Sequence, residues 1–90
     1  MNITYYATGG ADKVISTKAA LLEKIIVGTD IGSSIIEVSD SIDDGDGNIK
    51  IVLSGSTLQG VYEVNAIFSK GIAADITNQT NVSFVWKPTL

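Results

Sequence analysis

The chain has 90 residues, 44% hydrophobic and 18% charged, and ten acidic against six basic residues give a net charge of −4. That length suits one domain, residues 1–90, with 1–10 as an N-terminal arm or edge strand. All six basic residues are lysines, and Arg, His and Cys are absent. Their absence removes thiol and imidazole catalysis, zinc and iron–sulfur sites and disulfides, and argues against a nucleic-acid-binding face.

The opening MNITYYATGG has neither a basic nor an apolar segment of the kind a signal peptide carries. Apolar runs reach only four residues, at Ala19–Leu22, against the roughly 20 of a membrane-spanning helix. No membrane partner is expected.

Short apolar stretches separated by Gly, Ser, Thr, Asn and Asp read as strands and turns. Asn2–Ala7 and Val14–Ser16 are short strand candidates. Thr17–Gly28 (TKAALLEKIIVG) fits two readings. One is an amphipathic helix capped by Thr17 and stopped at Gly28. The other, which is favoured, is a strand in which a bulge at Glu23–Lys24 lets Leu22 and Ile25 both face inward. Ser34–Asp40 alternates, with Ile36 and Val38 inward and Glu37 and Ser39 outward. Asn48–Ser54 places Ile49, Ile51 and Leu53 on one face. Gly60–Phe68 places Tyr62, Val64, Ala66 and Phe68 on one face and Val61, Glu63, Asn65 and Ile67 on the other. Ile72–Thr77 is a further strand. Asn81–Lys87 closes the series with Val82, Phe84 and Trp86 inward, and Pro88 lies beyond it.

The pattern predicts an all-β fold: an antiparallel β-sandwich, jelly-roll-like or immunoglobulin-like, of about seven to eight short strands. The expected core is Ile25, Val27, Ile36, Val38, Ile51, Leu53, Val64, Phe68, Val82 and Phe84. Val52, Val61, Ile67 and Val85 are expected on the outside, where they suit protein contacts.

Residues 40–48 (DSIDDGDGN) hold a candidate cation site. Asp44, Asp46 and Asn48 have the first three ligand spacings of an EF-hand loop, but Ile49 and Gly55 stand where that loop needs Gly and Glu. A turn supplied with positive φ by its Asp-Gly pairs is the simpler reading. No metal site is therefore assigned, and no cofactor. Acid–base catalysis would need carboxylates of separated pKa in a cleft, which this distribution of acids does not suggest; no catalytic residue is assigned. Ser54, Ser56 and Thr57 around Gly55 lack the lysine of a phosphate loop. Asn2-Ile3-Thr4, Asn78-Gln79-Thr80 and Asn81-Val82-Ser83 match the glycosylation tripeptide, which arises often by chance. Trp86, Phe84 and Tyr62 could form a sugar platform, but their alternation with polar residues favours core packing. Tyr5 and Tyr6 point to opposite faces, so at least one is exposed. With Val61 and Ile67 they are the candidate interface residues.

Four pieces between Lys13 and Trp86 carry a family resemblance. Leu22–Gly28 (LEKIIVG) is similar to an early strand of the type L-x-x-I-x-V-N. Ile36–Asp40 (IEVSD) resembles a V-x-V-Y/x-D strand and turn. Gly60–Ile72 (GVYEVNAIFSKGI) resembles G-x-Y-x-x-x-x-x-F-S-x-G-L/I, and Asn81–Lys87 (NVSFVWK) a closing D-V-T-V-x-Y strand. In order and spacing they resemble the small β-sandwich virion proteins of tailed bacteriophages, often head decoration or cement proteins. Ala19–Ala20 and the acidic Asp43–Asn48 loop depart from that pattern. The resemblance implies a non-enzymatic structural protein located in the virion and assembled in the host cytoplasm. Its implied partners are the major capsid protein or other virion proteins, and it would be a homo-oligomer. A neck, tail or fibre module and a carbohydrate-binding module are the alternatives.

Overall fold

The computed structural model describes residues 2–55 and 59–89, with the side chains of 29–33 and 79–80 left out of the description. The described residues are all-β: eight strand segments form two antiparallel four-stranded sheets packed as a sandwich. These segments come from six strands: β1 (Asn2–Tyr6), β2 (Gly10–Ser16), β3 (Ala20–Asp40), β4 (Ile49–Gly55), β5 (Gly60–Phe68) and β6 (Ile72–Pro88).

The two longest strands serve both sheets. β3 and β6 pair antiparallel from Ala20↔Pro88 to Asp40↔Ile72, with an irregularity between Asp30 and Ile35. Residues 20–27 of β3 and 82–86 of β6 lie between β5 and β1. Residues 34–39 of β3 and 72–76 of β6 lie between β4 and β2. Counted as eight segments in chain order, the sheets run 1-8-3-6 and 2-7-4-5, which is jelly-roll connectivity. The immunoglobulin arrangement is excluded, because its first two strands share a sheet whereas β1 and β2 here flank different halves of β6.

Residues 17–28 are not helical: β3 begins at Ala20. The register shift between Leu22 and Lys24 is the bulge that lets Leu22 and Ile25 both be fully buried. Where β6 turns from one sheet to the other, Asn78 and Asn81 take φ of 56° and 58°. Asn tolerates that left-handed region better than most residues. The buried Ser34 hydroxyl donates to the Asn78 carbonyl at 2.8 Å, tying β3 to β6 at this corner. The sequence suggested two separate strands on each side of the corner, but each pair is one continuous strand. Pro88, expected outside the last element, ends β6.

Ile25, Val27, Ile36, Val38, Phe68, Val82 and Phe84 are buried as expected, joined by Ile15, Leu22, Ile72 and Ile76. Each such side chain contributes about 1.5–3 kcal/mol before conformational entropy is set against it. Ile51, Leu53 and Val64 are only half-buried against this cluster, because β4 and β5 are edge strands.

Three orientations differ from expectation. Ile49 is 41% exposed, since the register shift opposite Val38 and Ser39 breaks the alternation at the start of β4. Ser39 is buried rather than outward, and its hydroxyl donates to the Gly45 carbonyl at 2.7 Å. Val85 is only 4% exposed, because β6 is an inner strand there and Val85 is flanked by Ile3 on one side and Lys24 on the other.

Candidate functional site

The acidic loop after β3 folds back over the second sheet. The Ser41 hydroxyl accepts the N–H groups of Asp43 and Asp44. The Asp46 N–H donates to the Asp44 carboxylate at 3.1 Å, and the Gly45 N–H to the Asp12 carboxylate at 2.9 Å. Gly45 serves close approach rather than the positive φ expected of it. It has no left-handed φ, but a Cβ there would lie 2.5 Å from the Ala74 carbonyl oxygen of β6.

This folding gathers a carboxylate group different from the expected one. Oxygens of Asp12, Asp44 and Asp46 lie within 4.8 Å of one another, all exposed. Asp12 arrives because β2 is irregular between Gly10 and Lys13, with Asp12 at φ 55°. Asn48 is not a member of the group; its carbonyl accepts the Asp40 N–H at 2.9 Å where β4 begins. Hydrogen bonds from the Asp46 side chain and backbone lower the Asp44 pKa. The same side-chain bond and the Asp44 charge, with smaller effects of desolvation, Asp75 and Asp12, raise that of Asp46. An oxygen-only donor set of this kind suits a hard cation, although exposed acids also gather without one. An open cleft of about 450 Å³ beside the loop is lined by Asp40 to Asp44, Gly47, Asn48 and Lys70.

Asp40 itself is structural. Its carboxylate accepts the N–H groups of Ser69, Lys70 and Gly71 and the Ser69 hydroxyl, at 2.8–3.3 Å. It thereby fixes the Ser69–Gly71 crossing from β5 to β6. Burial disfavours its charge, but these bonds outweigh burial and hold its pKa below the ordinary value. A Cβ on Gly71 would lie 2.5 Å from the Ser16 carbonyl oxygen, so the sequence Phe68-Ser69-Lys70-Gly71-Ile72 is a tightly built turn.

The two long sides of the sandwich differ. On the β1–β2 side, the half-buried Tyr6 spans the sheets. Its ring meets Phe84 edge-on at 6.1 Å, its hydroxyl donates to the Val14 carbonyl at 3.0 Å, and burial raises its pKa. On the opposite side, an apolar groove of about 460 Å³ opens between β4 and β5. It is lined by Ile51, Leu53, Val61, Tyr62, Glu63, Val64 and Ala66. Val61 and Ile67 on β5 are 59% and 61% exposed, and Val52 on β4 is also exposed. The Lys50 ammonium donates to the Ile67 carbonyl at 3.1 Å, bridging the two edge strands.

The four candidate interface residues therefore fall in two places. Val61 and Ile67 share the β5 edge, and Tyr5 and Tyr6 lie on β1. Tyr5 is exposed, with its hydroxyl donating to the Asn81 side chain. The aromatic platform does not form. Phe84 is fully buried, and Trp86 packs half-buried against the core, its indole N–H donating to the Thr4 hydroxyl at 2.9 Å. Ser56 and Thr57 lie outside the described residues. The groove is the feature that sequence reasoning missed. Its only signal was the doubly apolar pattern of β5, where Val61 and Ile67 stand opposite Tyr62 and Val64. Comparison with protein families, with curated proteins and with solved structures finds no match for this chain.

Proposed function

We propose that this chain is a bacteriophage virion structural protein that decorates the outer surface of the head. It would act by protein–protein contact, with no catalytic step. The observation that carries the contact role is the open β4–β5 side. An apolar groove lined by Ile51, Leu53, Tyr62, Val64 and Ala66 has the exposed Val61 at its edge. Such a surface loses water favourably when a partner's apolar side chains fill it. The order of strand motifs described above supports the virion setting, with the major capsid protein as partner. Many copies on one particle would each add a modest contact, so avidity rather than single-site affinity would hold the coat.

Electron microscopy of intact particles tests the location, with density for this fold expected on the head surface. Density on the neck, tail or fibres instead would move the chain to another virion station, and no density would end the reading. Binding of purified chain to particles that lack it tests the surface. Val61→Lys and Ile67→Lys are expected to abolish binding while leaving the fold intact.

A further inference from the structure

We infer that β1 is a docking edge for a second copy of this chain, pairing antiparallel with β1 of that copy about a two-fold axis through Thr4. This goes beyond the virion reading and uses a different surface from the β4–β5 groove.

Among the described residues, four strands have an open edge: β1 and β5 in one sheet, β2 and β4 in the other. Open edges invite pairing with other chains, and proteins blunt them with bulges, lysines or irregular backbone. Three of the four are blunted here. β2 shifts register twice and holds Asp12 at φ 55°. The β4 ladder is irregular beside Lys50. The β5 ladder shifts register and carries Asn65 at φ 52°. β1, though short at five residues, has no bulge, lysine or positive φ. Its five residues pair with β6 in unbroken register from Asn2↔Trp86 to Tyr6↔Val82, and it contains no Gly, Pro or Lys.

The strand is also suited to itself. Pairing about Thr4 sets Ile3 of one copy opposite Tyr5 of the other, twice by symmetry. Ile3 is 66% exposed and Tyr5 55%, so each would cover a large apolar surface of the other, as cross-strand aliphatic–aromatic pairs do. Charge permits the approach. The chain carries −4 overall, but residues 2–9 (NITYYATG) carry no charged side chain, whereas Asp12, Lys13, Lys50 and Glu63 lie on the other edges. Five residues make about 17 Å of strand. A contact along one strand that short is limited, so the dimer is expected to be concentration-dependent.

The test uses the full chain and its lack of cysteine. Sedimentation of the wild type should show a monomer–dimer equilibrium, and Ile3→Lys should weaken it at least ~10-fold with an unchanged circular-dichroism spectrum. Thr4→Cys places two thiols across the proposed axis, within the Cα separation a disulfide accepts. Under mild oxidation it should crosslink, while Ile67→Cys should not. The inference is overturned if the wild type stays monomeric up to about 1 mM. It is equally overturned if Ile3→Lys dimerises as well as the wild type, or if Ile67→Cys crosslinks and Thr4→Cys does not. Particle binding is measured separately, so either proposal can fail without the other.

Discussion

The Asp40 carboxylate accepts the Lys70 backbone N–H at 2.8 Å, across the 30 residues that separate the end of β3 from the turn entering β6. With Ser69 and Gly71 donating to the same side chain, one carboxylate replaces the ladder bonds that the chain gives up as it crosses between sheets. Asp40→Ala leaves those donors without their acceptor and should cost about 1–3 kcal/mol, read as a lower urea midpoint at pH 7. The bonds hold the folded pKa below the unfolded one. The folded state therefore binds fewer protons in that window, and stability falls as pH drops below the ordinary value of 3.8. An Asp40→Asn chain should lose this part of the acid sensitivity.

Asp46 behaves in the opposite sense. Its pKa is raised by its bond to Asp44 and by the Asp44 charge, so the folded state holds its proton more tightly than the unfolded state does. That contribution is present at low pH and lost as pH rises through the raised value. Asp46→Asn removes the repulsion and should raise the melting temperature at pH 7, with the gain shrinking as the buffer is taken into the acid range where the wild-type carboxyl is protonated. A variant less stable than the wild type at pH 7 would contradict this account.

Two glycines in one loop should respond differently to a methyl group. At Gly45 the added Cβ meets the Ala74 backbone at 2.5 Å, and β6 cannot move aside without disturbing both neighbours. At Gly47 its nearest contact is the Asp44 side chain at 3.0 Å, which can rotate away. Gly45→Ala is expected to cost about 1–3 kcal/mol, roughly 4–24 °C in melting temperature for a domain of this size. Gly47→Ala should cost clearly less.

The indole of Trp86 provides a fourth test. Thr4→Val keeps the shape of the side chain but removes the acceptor of the indole N–H, so about 0.5–1.5 kcal/mol of stability should be lost. Trp86→Phe should lose a similar amount plus some packing. A glycan array probed with the wild type should stay blank, and specific binding abolished by Trp86→Phe would restore the sugar-platform reading.

Alternation made β5 legible residue by residue. Tyr62, Val64 and Ala66 face in and Val61, Glu63 and Ile67 face out, because an edge strand has one dry face and one wet one. Irregular pairing hid the rest. Ser39 and Ile49 flank one register shift, and no local pattern marks the residue at which the phase changes. The continuity of β3 and β6 was obscured because Gly28, Ser33 and Asn78 look like turn residues, whereas they lie within strands that bend. Two members of the carboxylate group were legible from the spacing of Asp44 and Asp46. The third, Asp12, comes from a strand distant in sequence, and only the fold brings it near. The groove between β4 and β5 likewise follows from which strands end up at the sheet edges.

The central position of β6 has a consequence for biosynthesis. It separates β1 from β3 in one layer and β2 from β3 in the other. A nascent polypeptide that has emerged from the ribosome only as far as Phe68 therefore has no seat for its first two strands. Such a chain holds its early apolar residues unsheltered until β6 has been synthesised, so both layers are completed only by the strand that is made last among the six.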